Sequence, residues 1–133
     1  MTAKILYQGN LRTQMTHIYS GTEVLTDAPL DNNGLAQAFS PTDLAATSLG
    51  SCMMTIMGIK ARDLNLDLTG TEAEITKIMG TEPRRITEIQ VTLKFAKKNF
   101  SEKEKTIFEN AARNCPVAKS LHPDIKQVIK FEW

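Results

Sequence analysis

One stretch near the middle of the chain, residues 44–59, contains no charged residue and limits how the rest can fold. Its polar side chains are the small hydroxyls of Thr47, Ser48, Ser51 and Thr55. Apolar or small residues fall on every side of a helical wheel, and a helix that is apolar all round must be buried all round. The sequence therefore predicts a central buried helix, with Cys52 at its middle.

Both ends of this helix carry local signals. Ser40 can cap the free amides, Pro41 suits the first helical position, and Asp43 completes the spacing of a capping box. Lys60, Arg62 and the polar residues that follow mark the other end. The 22 residues 41–62 would make a rod of roughly 33 Å. A single domain of 133 residues can hardly surround such a rod, so we expect a homodimer.

The rest of the chain contains short β patterns, one further amphipathic helix and one short helical piece. Gly9 and Asn10 separate two alternating runs, which predicts an N-terminal hairpin. Ser101 followed by Glu102 and Glu104 opens a second helix, and Pro116 breaks it. The predicted strands cover 4–8, 11–18, 22–26, 66–79, 85–95 and 125–133, and the predicted later helices cover 101–114 and 117–121. This order predicts an α+β fold in a single domain, residues 1–133, with 66–79 and 85–95 as an antiparallel pair.

Composition narrows the class of protein. A net charge of +1 with 23% charged residues gives no electrostatic argument for binding nucleic acid or a membrane surface. The first residues lack the apolar run of a signal peptide, and Gly50, Gly58 and the hydroxyls interrupt the apolar helix. We therefore expect a cytoplasmic protein that does not span a membrane. In that compartment two cysteines are more often reactive or buried than joined in a structural disulfide.

The two cysteines are the candidate chemical groups. If Cys115 caps the short helix after it, free backbone amides would lie near its sulfur and favour the thiolate. For Cys52 the simplest interpretation is an inert core residue, and a reactive thiolate would need a partner from elsewhere in the fold. A metal site could also draw on His17 and His122, but no two of these four residues stand at ligand spacing. We predict no metal and no cofactor.

Two motifs around these cysteines resemble the OsmC/Ohr family of osmotically inducible and organic hydroperoxide resistance proteins. The motifs are Ser40-Pro41-Thr42-Asp43-Leu44-Ala45-Ala46 leading to Leu49-Gly50-Ser51-Cys52-Met53, and Asn114-Cys115-Pro116-Val117. The order of predicted elements is also similar to that of the family. The resemblance implies an OsmC-like fold, with antiparallel sheets around a long central helix that carries the cysteine. It further implies an intertwined homodimer with two active sites at the subunit interface.

The resemblance also implies a thiol-dependent peroxidase that acts on organic hydroperoxides in oxidative stress defence. Cys52 would attack the peroxide and become a sulfenic acid, and Cys115 would resolve it as a disulfide. A lipoyl-type or small dithiol would then reduce the disulfide. A second thiol beside a sulfenic acid traps it before further oxidation.

The chain departs from the family pattern at the groups that assist the first cysteine. The family has a glutamate ten residues before that cysteine, where this chain has Thr42; Asp43 follows and is either its replacement or part of the helix cap. Arg12 is the candidate for the arginine that stabilises the thiolate, with Arg84 and Arg85 as alternatives. A second function stays open, a binding protein for a small apolar ligand or a redox signalling protein on the same dimer. Thr42 favours this alternative, whereas retention of both cysteines favours the peroxidase.

Overall fold

The computed structural model describes all residues, 1–133, and they form two compact units, residues 1–45 and 46–133. The first unit contains a three-stranded antiparallel sheet of β1 (Ala3–Gly9), β2 (Arg12–His17) and β3 (Glu23–Thr26), in that order. Gly9 and the two residues after it have positive φ, which closes a tight turn between β1 and β2. The predicted N-terminal hairpin is therefore confirmed.

Helix α1 (Pro41–Asp63) begins and ends within about a residue of the predicted bounds. The Ser40 hydroxyl accepts a hydrogen bond from the Asp43 amide at 3.1 Å, and the Asp43 carboxylate accepts one from the Ser40 amide at 2.9 Å. These two bonds are the capping box that the sequence predicts, and they satisfy amides that have no partner inside the helix.

Burial of α1 within one chain is confined to one side of the helix. Its buried residues are spaced three or four apart: Ala46, Leu49, Gly50, Met53, Met57 and Ala61. Ser48, Ser51, Thr55 and Ile59 are exposed and form a second, uncharged face. The predicted burial all round is thus not achieved by a single chain. By length and composition α1 could also cross a membrane, a criterion that the core helix of a soluble protein meets equally well.

The second unit contains a mixed three-stranded sheet of β4 (Glu72–Thr81), β5 (Arg84–Lys94) and β6 (Lys126–Glu132). Strands β4 and β5 are antiparallel, as predicted, whereas β5 and β6 are parallel. The parallel pairing needs a crossover, which α2 (Glu102–Arg113) and α3 (Pro116–Ser120) provide. A capping box between Ser101 and Glu104 starts α2 at the predicted place.

Strand β4 starts later than the sequence analysis predicts, at Glu72 rather than Leu66. The Asp67 carboxylate accepts a hydrogen bond from the Thr69 amide at 2.9 Å, and Gly70 has a φ of +85°. A side chain that bonds to the backbone two residues on stabilises a turn, and a left-handed glycine continues it. This local turn overrides the β propensity of residues 66–71, and the strand begins only after it.

The core of the second unit forms between α1, β5 and α2. Alternate residues of β5 are buried with the inner face of α1 and with Phe108 of α2. Gly50 allows a close approach of α1 to β4, because a Cβ atom at this position would lie 2.5 Å from Cδ1 of Ile75. The absence of a side chain at Gly50 therefore sets how near α1 packs to β4 just before Cys52.

Candidate functional site

Cys52 and Cys115 come together in the second unit. Cys52 lies on α1 and is partly buried, whereas Cys115 precedes α3 and is fully buried. The two side chains are neighbours, and neither is in a disulfide. The structure thus brings the two predicted reactive residues together.

The position of Cys115 follows from the break between α2 and α3. Its amide donates to the carbonyl of Ala112 at the end of α2, and its carbonyl accepts from the amide of Lys119 in α3. Pro116 occupies the first position of α3, where its missing N–H costs nothing. The sulfur of Cys115 accepts a hydrogen bond from the amide of Ala118 at 3.5 Å. The predicted cap is confirmed.

The predicted electrostatic effect of that cap is present, but burial outweighs it. Burial raises the pKa of the Cys115 thiol above its ordinary value, and the neighbouring Cys52 sulfur raises this pKa further. The amides of Ala118 and Val117 lower it, but their effect is the smaller one. The free energy lost when a charged sulfur leaves water is larger than the stabilisation that the two amides provide. Cys115 is therefore a thiol, not a thiolate, at neutral pH.

This raised pKa predicts a loss of stability at high pH. An unfolded Cys115 loses its proton near its ordinary pKa of 9.0, while the folded one retains it to higher pH. Above that value the unfolded chain binds fewer protons, so the free energy of unfolding falls as the pH rises. Urea unfolding of the reduced protein at pH 8 and at about pH 10.5 should show a larger loss for wild type than for Cys115→Ala. Equal losses in the two proteins would contradict it.

Arg12 and Asp43, the other predicted site residues, lie in the first unit. The guanidinium of Arg12 donates to the Gln37 side-chain oxygen, and its Nη2 atom lies 3.7 Å from the Asp27 carboxylate. Asp43 belongs to the helix cap, which is one of the two roles that the sequence left open for it. The hydroxyl of Thr42 lies 3.1 Å from that of Ser40.

The remaining candidates show ordinary surface contacts. Arg85 faces Asp124 at 3.8 Å, and His122 lies 3.6 Å from the same carboxylate. The ring of His17 lies 2.8 Å from the Ser20 hydroxyl. No group of three His, Cys, Asp or Glu side chains is placed to hold a metal ion.

A small cavity next to Arg12 contains residues that the sequence analysis missed. Its volume is about 210 Å³, and it is lined by Gln8, Arg12, Leu25, Thr26, Asp27, Gln37 and Ala38. The carboxyl side chain of Asp27 is only 1% exposed. From the sequence Asp27 is predicted to be the first residue of a polar loop. The one signal that could have indicated its burial is its position directly after a strand.

Comparisons with known proteins agree with this architecture. Residues 33–130 match the family described as OsmC-like protein. A structure from Psychrobacter arcticus 273-4, of a protein with a proposed role in the osmotic stress and detoxification response, is 52% identical, with a TM-score of 0.96. That alignment covers 99% of this chain and 96% of the other. No curated protein sequence matches the chain.

More distant structures share the fold. The organic hydroperoxide resistance protein OsmC of Legionella pneumophila is 13% identical over 98% of this chain and 95% of that one, with a TM-score of 0.73. The organic hydroperoxide resistance protein OhrB of Bacillus subtilis is 15% identical over 99% and 98% of the two chains, with a TM-score of 0.69. The family match over most of the length and the 52% identical structure lead to one conclusion: this chain is a member of the OsmC-like protein family.

Proposed function

We propose that this protein is a thiol-dependent peroxidase that reduces organic hydroperoxides with Cys52 and Cys115. The observation that carries the proposal is the proximity of the two free thiols in the second unit. A sulfenic acid formed on Cys52 would have a second thiol beside it with which to form a disulfide.

The proposed reaction has three steps. The Cys52 thiolate attacks one oxygen of the hydroperoxide, the O–O bond breaks, and the alkoxide takes a proton and leaves as an alcohol. The Cys115 sulfur then attacks the sulfenic sulfur, and the hydroxyl group leaves with the Cys115 proton as water. An external dithiol returns two electrons to the disulfide and becomes oxidised itself.

The surroundings of Cys52 favour an organic substrate. Ile56, one helical turn after Cys52 on the same side of α1, is partly buried and apolar, so an alkyl chain next to it would gain by leaving water. Organic hydroperoxide resistance is also the function named for two proteins that share this fold. Arg12 is our candidate for the cation that stabilises the thiolate, and a catalytic part for Asp43 stays a prediction.

The test of the function is a turnover assay with an alkyl hydroperoxide and a dithiol such as dihydrolipoamide. We expect steady hydroperoxide consumption that depends on the dithiol. Without the dithiol, one equivalent of hydroperoxide should remove both free thiols of each chain, and mass spectrometry should find the Cys52–Cys115 link. Two thiols that stay free in excess hydroperoxide would contradict the proposal and favour the ligand-binding alternative.

We also propose that the protein is a homodimer with the uncharged outer face of α1 in its interface. That face includes Ser51 and Thr55, is exposed and has no charged side chain. A partner chain can therefore cover it without burying a charge. Light scattering should give twice the 14.8 kDa mass of one chain. Thr55→Glu would bury a charge in the interface and should shift the protein towards monomer.

A matched control for this substitution is available on α2. Thr106 is also exposed, and its hydroxyl, like that of Thr55, bonds to the carbonyl four residues earlier at 2.9 Å. Thr106→Glu should therefore leave the mass unchanged. A wild-type protein that scatters as a single chain would overturn the dimer.

A further inference from the structure

The two cysteines differ in how much of each residue meets solvent. Cys115 has no exposed surface, whereas Cys52 keeps part of its surface exposed. The burial of Cys115 is complete within a single chain, so a partner chain could not make this residue more accessible. The difference matters once the two sulfurs are joined, because a reductant then attacks one sulfur and expels the other.

The burial of Cys115 comes from both of the helices that flank it. Phe108 and Ala112 of α2 and Ala118 of α3 belong to the same buried cluster as Cys115. The Cys115 amide donates to the Ala112 carbonyl at 3.2 Å, and the Cys115 sulfur accepts from the Ala118 amide at 3.5 Å. An external thiol could therefore reach this sulfur only if the packing of α2 and α3 opened.

Cys52 lies where the buried side of α1 meets the exposed side. Leu49, three residues before it, is fully buried, whereas Thr55, three residues after it, is exposed. Residues three apart on a helix are neighbours on its surface, so Cys52 adjoins both the core and the exterior. In the proposed function the hydroperoxide reaches the Cys52 sulfur, and a thiol reductant can use the same route.

We propose that the external dithiol attacks the disulfide at the Cys52 sulfur and that Cys115 is the leaving group. This inference rests on the proposed function. One thiolate of the dithiol bonds to the Cys52 sulfur, the bond between the two cysteines breaks, and the Cys115 sulfur takes up a proton. The second thiol of the reductant then loses its proton and attacks the reductant sulfur held by Cys52. Cys52 leaves as a thiolate, and the dithiol, which has given up two electrons, becomes a cyclic disulfide.

The leaving-group chemistry of Cys115 opposes this direction of attack. Burial raises the pKa of the Cys115 thiol, and a sulfur with a raised pKa departs more slowly than it would in water. The competing pathway is attack on Cys115 with Cys52 as the leaving group. Access decides between the two pathways, because a reductant must touch the sulfur that it attacks, and Cys115 has no exposed surface.

The test traps the first intermediate in the wild-type protein. Diamide, an oxidant that joins neighbouring thiols without a hydroperoxide, forms the disulfide, and 2-mercaptoethanol is then added for a short time. The reaction is quenched in acidic denaturant that contains N-ethylmaleimide, and mass spectrometry of peptides locates the mercaptoethanol adduct. We expect the adduct on Cys52 and maleimide on Cys115 in roughly 10-fold or greater excess over the reverse pattern.

The matched control is the same disulfide form unfolded in urea before 2-mercaptoethanol is added. Both sulfurs are then exposed, so the two adducts should form in comparable amounts. Equal adducts in the folded protein, or adducts mainly on Cys115, overturn the proposal and leave the proposed function standing. An equally strong preference for Cys52 in urea also overturns it, since burial would then not be the cause.

Failure of the proposed function has a different result. A protein that does not consume hydroperoxide loses the proposed function, while its diamide-formed disulfide still shows which sulfur a thiol attacks. Two cysteines that neither diamide nor hydroperoxide can join overturn both the function and the direction of attack.

Discussion

Cys52→Ser should lower hydroperoxide turnover by roughly 10³-fold or more, because a serine hydroxyl is a far weaker nucleophile than a thiolate. The substitution replaces sulfur by oxygen in a partly buried position of α1, so the fold should be retained. The measurement is the initial rate of alkyl hydroperoxide consumption with a dithiol reductant, together with a circular dichroism spectrum that matches wild type.

Cys115→Ser is the matched comparison, since it changes the other member of the pair in the same way. It should still release one equivalent of alcohol in a single turnover, because the attacking sulfur of Cys52 is intact. The sulfenic acid would then lack its resolving thiol, and excess hydroperoxide should oxidise it further to sulfinic acid, visible as added oxygen mass. Full activity in Cys52→Ser would reverse the two roles or exclude the mechanism.

Phe108→Ala should lower the free energy of unfolding by about 3–5 kcal/mol. Phe108 on α2 is fully buried, and its ring lies 5.5 Å from that of Phe100 and 6.2 Å from that of Trp133, measured between centroids. Truncation removes these contacts and leaves a cavity that the surrounding side chains can fill only in part. Urea unfolding followed by tryptophan fluorescence measures the loss, since Trp133 is the one tryptophan of the chain.

The control for this substitution is Phe39→Ala, because Phe39 is 53% exposed. Truncation of an exposed ring usually changes the free energy of unfolding by no more than about 0.5 kcal/mol. Comparable losses for Phe39→Ala and Phe108→Ala would contradict the prediction. They would show that the ring cluster of Phe100, Phe108 and Trp133 does not stabilise the core of the second unit.

The features predicted correctly from sequence depend on groups close together in the chain. Ser40 and Asp43 form the cap of α1 across one helical turn, and Ser101 forms the cap of α2 in the same way. Gly9 and Asn10 close the first hairpin. Cys115 caps α3 because Pro116 directly follows it. Hydrogen bonds and backbone preferences over a few residues settle such features, so the amino-acid order is sufficient to predict them.

The start of β4 shows that a prediction from local β propensity can be wrong even over a few residues. Residues 66–71 contain β-forming side chains, but the bond from the Thr69 amide to Asp67 and the left-handed Gly70 make a turn. Likewise, alternation predicts a last strand at 125–133 but not that β6 pairs with β5 in parallel. Partner and direction depend on the crossover through α2 and α3, which is a property of the folded chain.

For the site, the sequence by itself indicated the two candidate reactive residues, Cys52 and Cys115, and, through their motifs, which family the chain resembles. Tertiary structure alone decided that the side chains of Cys52 and Cys115 are neighbours, that burial raises the pKa of Cys115 despite its cap, and that Asp27 is buried facing Arg12. The physical reason is that a cap is a short-range hydrogen bond, whereas desolvation depends on every element packed around a group. Residues far apart in the chain supply that packing, so the sequence indicates the groups and the fold decides their charges.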